Sequence, residues 1–178
     1  MEGISALFTK YGNHDYIGEK ISQSSHLIQT AMLAEETGAS NELVIAAFLH
    51  DIGQFIGLER KLTTIDNLGI ENHEIIGADF LSELGFEDYI TSLVREHVNA
   101  KRYLVTVNSH YYQKLSDASK QTLALQGGPM NDEEVLTFQK MDYCRDLLRL
   151  RSWDEQAKRL DLQLKPLEYY INLCRETL

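Results

Sequence analysis

The pair His50-Asp51 is the part of the sequence with the clearest capacity for chemistry. It follows directly on an apolar run, Leu43 to Leu49. A helix that is apolar all round is buried, so this one would hold an imidazole and a carboxylate against the interior. An unpaired buried carboxylate is costly, and a metal ion would supply its partner. Alternatively, His50 caps the helix C-terminus beside a solvated Asp51; the pair alone leaves both interpretations open.

Further residues of ligand type fall on inward faces of predicted helices. His97 continues one apolar stripe at helical spacing, and His73 begins another. His26 lies near the start of the first predicted helix, and Asp154 shares a face with apolar residues of a later one. Each of these alone is better explained as a satisfied core histidine or a capping carboxylate. Together with His50-Asp51 they form an imidazole and carboxylate set, which suits iron, manganese or zinc.

The elements that would position these residues are predicted to be helices. Two prolines in 178 residues, and no sustained apolar–polar alternation, favour an all-α fold. Capping residues, glycine stops and apolar periodicity predict the helices, at residues 24–37, 41–52, 72–84, 87–99, 109–115, 116–126, 132–160 and from Pro166 onward. Residues 57–71 are predicted to form a loop beside the site. Short connections predict one domain, residues 1–178.

Composition argues against several functional classes. A net charge of −10 without a Lys and Arg cluster is atypical of nucleic-acid binding. The run Leu43 to Leu49 is far shorter than the roughly 20 residues that cross a bilayer, and no secretory leader is recognisable. We therefore expect a cytoplasmic protein with no nucleic-acid or membrane partner. Cys144 and Cys174 form no CxxC pair and are predicted to be reduced thiols. An anionic substrate would need a few local cations.

The order of the ligand-type residues resembles the H…HD…D pattern of the HD-domain superfamily, with the two additional histidines of its dinuclear branches. Longer strings resemble the mixed-valent diiron oxygenases of that superfamily, and among them the glycine-forming 2-amino-1-hydroxyethylphosphonate dioxygenases. The strings, spread over about residues 14 to 160, are Tyr16-Ile17-Gly18-Glu19, Gln23, His26, 97–104, 115–119, 126–130 and Arg151-Ser152-Trp153-Asp154. The resemblance implies a single all-α HD-domain helical bundle.

The resemblance also implies a ligand set for two iron ions, Fe(II) and Fe(III), with dioxygen as co-substrate. One ion would take His26, His50, Asp51 and Asp154. The other would take His73 and His97, with Asp51 bridging the pair. His14 and His110 have no place in this pattern and are predicted to lie at the surface.

Substrate contacts follow from the same resemblance. Lys101, Ser119 and Arg151 would bind the phosphonate oxygens, and Lys101 and Arg151 would be the local cations that an acidic chain needs. Tyr16 would occupy the site until substrate arrives, and Glu19 would pair with a substrate ammonium. Lys101, Tyr16 and Glu19 are thus the predicted catalytic residues.

Two glutamines complete the predicted substrate site. Gln23 belongs to the strings that carry the resemblance. Gln54 stands where close relatives often have a second histidine, and glutamine can donate a hydrogen bond but carries no charge.

The function implied is dioxygen-dependent cleavage of the C–P bond in a small hydroxylated aminophosphonate. The expected reaction converts (R)-2-amino-1-hydroxyethylphosphonate to glycine and phosphate. Three alternatives remain open: a metal-dependent phosphohydrolase on the same scaffold, an oxygenase acting on an N-methylated or other related phosphonate, and an inactive HD domain used for binding or signalling. We expect a monomer or a weak homodimer.

Overall fold

A computed structural model describes residues 1–16, 18–64 and 68–178, and helices make up most of them. The helices are α1 (Glu2–Tyr11), α2 (Gln23–Glu36), α3 (Asn41–Leu49), α4 (Ile52–Glu59), α5 (His73–Glu83), α6 (Asp88–Val107), α7 (Ser109–Lys114), α8 (Asp117–Leu125), α9 (Asp132–Gln139), α10 (Cys144–Gln156) and α11 (Leu167–Glu176). In these ranges the only β-type pairings are two isolated bridges. The all-α prediction is therefore confirmed.

Several helix ends follow from local sequence, as predicted. The Ser22 hydroxyl accepts a hydrogen bond from the Ser25 amide at the start of α2, and Ser40 caps α3 in the same way. Gly38 and Gly85 follow α2 and α5 with φ of 68° and 91°, a left-handed conformation that glycine adopts without strain.

Other predicted boundaries are wrong because packing changes the direction of the chain. The helix predicted over 41–52 ends at Leu49, and α4 starts at Ile52, directly after the His50-Asp51 turn. The helix predicted over 132–160 is two helices, since α9 packs on α6 whereas α10 packs on α2, α3 and α6.

Helix α6 continues to Val107, eight residues beyond the predicted end, and α1 was not predicted. Part of the predicted loop 57–71 belongs to α4, and 65–67 lie outside the described residues.

Helix α3 lies at the centre of the apolar core, which explains its composition. All seven of its residues from Leu43 to Leu49 are buried, as predicted, and α2, α6, α10 and α11 surround it. The Phe48 ring stacks on Phe8 of α1 and on Tyr170 of α11, with centroid distances of 4.8 and 5.1 Å. This packing holds the end of α3, and with it His50-Asp51, in the interior.

Two further observations bear on the sequence predictions. In the part of the chain that the structure describes, no helix is both long and apolar enough to pass through a membrane. Cys144 and Cys174 are both free thiols, as predicted.

Gly53 allows α4 and α5 to cross closely enough to bring His73 beside Asp51. A Cβ atom at position 53 would lie 1.9 Å from the His73 carbonyl oxygen. We expect Gly53→Ala to lower the free energy of unfolding by about 1–3 kcal/mol or more, because the backbones must separate. Urea unfolding would measure the change, with Gly3→Ala in α1, where a Cβ meets no atom within 4 Å, as the control. Equal stability of the two variants would contradict this account.

Candidate metal centre

Five structural elements bring the six predicted ligand residues to one place in the interior. They come from α2, the turn between α3 and α4, the first residue of α5, the middle of α6 and the last turns of α10. All six side chains are buried, at 7% exposure or less: His26, His50, Asp51, His73, His97 and Asp154. They form two groups of three that could each hold a metal ion.

The first group consists of His26, His50 and Asp154. The two Nε2 atoms lie 3.3 Å apart. The Asp154 carboxylate faces both, with Oδ1 3.3 Å from His26 Nε2 and Oδ2 3.9 Å from His50 Nε2. A cation could therefore be reached by all three ligand atoms.

The second group is centred on Asp51, which also faces the first group. Its Oδ1 lies 3.0 Å from His73 Nε2 and 3.4 Å from His97 Nε2, and these two nitrogens are 3.3 Å apart. The other carboxylate oxygen, Oδ2, lies 3.6 Å from His50 Nε2. One carboxylate is thus shared between two sets of imidazoles, the arrangement of a bridging ligand.

The outer nitrogen of each imidazole fixes the orientation of the ring. The four Nδ1 atoms lie 2.7 to 3.3 Å from backbone carbonyl oxygens, those of Ala157, Ala47, Ile70 and Val94. A carbonyl oxygen only accepts, so in a neutral ring the proton is on Nδ1 and Nε2 carries a lone pair. Pairs of Nε2 lone pairs facing each other are repulsive, and a cation between them removes the repulsion.

The charges of the groups also suit metal binding. Burial would raise the pKa of Asp51, but the His50 and His73 imidazoles outweigh it and hold this pKa well below its usual range. For Asp154 burial is likewise outweighed, chiefly by the Arg151 guanidinium, and the pKa is well below normal. Burial lowers the pKa of His50 to about 4. At neutral pH the site therefore presents charged carboxylates and a neutral His50, the protonation states that bind metals.

The chain matches the HD domain model over residues 24–145. The chain belongs to the HD-domain family. An uncharacterised protein of Acanthamoeba polyphaga mimivirus is 45% identical over 98% of this chain and 80% of its own length. The [1-hydroxy-2-(trimethylamino)ethyl]phosphonate dioxygenase (glycine-betaine-forming) of Leisingera caerulea is 39% identical over 92% of this chain and 82% of its own. The hydroxymethylphosphonate dioxygenase of Gimesia maris is 35% identical, with coverages of 95% and 85%. These relatives support the predicted resemblance to the HD-domain phosphonate oxygenases.

The candidate metal centre of this HD domain opens into a cavity of about 240 Å³ that most of the predicted substrate residues line. Those at its wall are Tyr16, Glu19, Gln54, Lys101, Ser119 and Arg151. Gln23 does not line it: this residue is buried at the first position of α2, where its Oε1 has no hydrogen-bond partner among the described residues. His14 and His110 are exposed, as predicted.

Lys101 is a buried cation of the HD-domain cavity. Its side chain comes from α6, one turn after His97, and its Nζ donates to the Thr122 hydroxyl at 3.0 Å. Burial, together with the nearby Arg151 guanidinium, lowers the pKa of Lys101 to about 7. An anionic ligand in the cavity would stabilise the ammonium form.

Arg151 already has carboxylate partners. Its Nη1 donates to Asp154 Oδ2 at 2.6 Å, its Nη2 pairs with Glu155, and its Nε donates to the Tyr111 hydroxyl at 3.0 Å. Glu155 follows Arg151 by four residues, so helical spacing could have revealed this pair. Tyr111 comes from α7, and no sequence signal linked it to the site.

The segment that contains Tyr16 and Glu19 covers the centre from one side. The Tyr16 ring stacks on the His26 ring, with centroids 3.8 Å apart and planes at 13°. Gly18 adopts φ of 69°, and a Cβ there would lie 2.7 Å from the Ala118 Cβ, so this turn packs directly on α8. Ile17, one of the residues in the resemblance, lies outside the described residues. Glu19 is paired with Lys158, a cavity residue that the sequence analysis missed.

Gln54 contributes to the shape of the cavity wall. Its side chain is buried, and its Oε1 accepts a hydrogen bond from the Ile70 amide at 2.8 Å. The carbonyl oxygen of the Gln54 amide is therefore occupied by a hydrogen bond that holds the backbone at Ile70, just before His73. The amide nitrogen is the end that could donate to a ligand.

Proposed function

We propose that this HD-domain protein is a dioxygen-dependent diiron oxygenase that cleaves the C–P bond of a small 1-hydroxyphosphonate. The specific reaction proposed converts (R)-2-amino-1-hydroxyethylphosphonate and dioxygen to glycine and phosphate. This reaction is balanced in atoms and electrons without a further reductant. The observation that carries the proposal is Asp51, whose two oxygens face two separate sets of imidazoles at the inner end of the cavity.

The two ligand groups fit a pair of metal ions. His26, His50 and Asp154 would hold one ion, His73 and His97 the other, and Asp51 would bridge them. When bound, an Fe(II)/Fe(III) pair supplies Lewis acidity and the redox change that dioxygen chemistry requires. The carbonyl oxygens that accept from each Nδ1 would keep the four rings aimed inward.

The cavity residues would bind and orient the substrate. The Lys101 ammonium and the Ser119 hydroxyl can donate to phosphonate oxygens, and Arg151 adds positive charge beside them. Glu19 supplies a carboxylate that can accept from a substrate ammonium. Tyr16, stacked on His26, covers one side of the candidate metal centre and would occupy the site until substrate arrives.

Dioxygen dependence is the test of this proposal. Protein loaded with iron under argon should release no phosphate from (R)-2-amino-1-hydroxyethylphosphonate until dioxygen is added. It should then form glycine and phosphate in equal amounts, with one dioxygen consumed per phosphate, and Asp51→Ala should form neither.

Two other outcomes would change the conclusion. Release of phosphate from a phosphate ester under argon would contradict the oxygenase and indicate an HD-type phosphohydrolase. Dioxygen-dependent cleavage of the trimethylated or the hydroxymethyl compound, with none of the primary amine, would keep the reaction class and replace the substrate.

A further inference from the structure

Lys158 is a cavity residue to which the proposed reaction gives no role. Its Nζ lies 2.7 Å from Glu19 Oε1 and 3.4 Å from the Ser116 hydroxyl. The Lys158 and Glu19 side chains are 19% and 20% exposed, so both face the cavity from sheltered positions. The carboxylate that could bind a substrate ammonium therefore already holds an ammonium of the protein.

The backbone on both sides of Lys158 is fixed to the metal-binding helix α2. The Ala157 carbonyl oxygen lies 3.0 Å from His26 Nδ1. The Arg159 amide donates to Gln29 Oε1 at 2.9 Å, and its carbonyl accepts from Gln29 Nε2 at 3.0 Å. The backbone of Lys158 is thus held between two hydrogen-bonded neighbours, so its side chain starts from a fixed point at the cavity wall.

The partner of this ion pair is also held in place. Glu19 follows the tight turn at Gly18, which packs on Ala118 at the start of α8. Ser116, the N-cap of α8, is the second neighbour of Lys158 Nζ. The ion pair therefore joins the Tyr16–Glu19 segment to the end of α10 across the cavity wall.

We propose that Lys158 determines substrate specificity by competing with a substrate ammonium for Glu19. This inference rests on the proposed function. An ammonium entering the cavity must displace Lys158 from Glu19 or share the carboxylate with it, and like charges side by side are unfavourable. A substrate with an uncharged substituent meets no such competitor. Lys158 thus weakens the preference for amines that Glu19 alone would give.

Two ligands that differ only in the amino group test this inference. We would measure the binding of 2-amino-1-hydroxyethylphosphonate and 1-hydroxyethylphosphonate to iron-loaded protein under argon by calorimetry, where no turnover occurs. Lys158→Met should shift the ratio of the two dissociation constants toward the amine by about 2- to 5-fold. Lys158→Arg retains the cation and should keep the wild-type ratio.

Two further variants serve as controls. In a Glu19→Gln background, Lys158→Met should no longer change the ratio, because the contested carboxylate is absent. Lys165→Met removes a lysine that pairs with Glu35 instead, and should leave both dissociation constants unchanged. Iron content and the far-ultraviolet circular dichroism of each variant would establish that site and fold are intact.

The remaining outcomes are distinguishable. An unchanged ratio in Lys158→Met would overturn the inference and point to another acidic cavity residue, Glu71 or Glu74, as the ammonium partner. Equal weakening of both ligands would overturn it too, and would assign Lys158 to the phosphonate. Binding with the predicted shift but without dioxygen-dependent turnover would overturn the proposed function alone. If neither ligand binds the wild-type protein, both the proposed function and the inference about Lys158 are wrong.

Discussion

Replacing Asp51 with asparagine should prevent binding of the two proposed iron ions and abolish the proposed C–P bond cleavage. Each carboxylate oxygen of Asp51 faces a different set of imidazoles, so one substitution removes a negative charge from both ion sites. Without that charge, two cations held close together repel each other. We expect activity to fall by more than about 100-fold, the upper end of the loss seen when a residue merely supports a ligand. Iron per chain and phosphate release would measure the two effects.

Two comparison variants show whether the bridging role is the cause. His97→Gln alters only the second ligand group, so it should retain one ion on His26, His50 and Asp154. Asp146→Asn, on the same helix as Asp154 but bonded to Tyr89 and Arg149, should retain two ions and full activity. Two ions in the Asp51→Asn protein would show that Asp51 is not a bridge.

Replacing Lys101 with methionine should weaken phosphonate binding without loss of metal. Methionine has a similar length and apolar character, so it keeps most of the packing of the stem and removes the ammonium. A hydrogen bond to a charged group contributes about 1.5–3 kcal/mol, which predicts a dissociation constant roughly 10- to 100-fold higher. Calorimetry with iron-loaded protein under argon would measure it. Lys114→Met, an exposed position at the end of α7, is the matched control and should bind normally.

The pH dependence of binding gives a second measurement on Lys101. Because burial lowers its pKa to about 7, the amine of the free protein loses its proton as the pH rises through 7. A bound phosphonate favours the ammonium and raises this pKa, so binding at pH 8 should take up a proton and affinity should fall as the pH increases. Calorimetry in buffers of different ionisation enthalpy detects the uptake. If the Lys101→Met protein took up the same number of protons on binding, the proton uptake would belong to another group.

Much of the fold, and the burial of the candidate ligand residues, was predictable because the relevant forces are local. Apolar periodicity fixes which side of a helix is buried. This was enough to predict that His73 and His97 point into the core, where both are buried. Capping serines and glycines gave the ends of α2, α3 and α5 to within a few residues. The continuous apolar run of α3 required complete burial, and burial of His50-Asp51 at its end followed from that.

Helix directions and close approaches could not be obtained in this way. Gly53 directly follows the helix predicted over 41–52, yet it lies inside α4, where the approach of α5 leaves no room for a side chain. No proline or glycine lies between α9 and α10, so the local sequence does not indicate a break there. The two helix directions are set by packing against different neighbours.

The amino-acid sequence determined which chemical groups are available and which of them face inward, because helical geometry repeats every few residues. Only the tertiary structure decided which side chains from different helices come into contact. The sharing of Asp51 between two imidazole sets, the occupation of Arg151 by Glu155 and Tyr111, and the pairing of Lys158 with Glu19 join residues from separate elements. Such contacts depend on where helices cross, and crossing points result from the packing of the whole core rather than from any single segment.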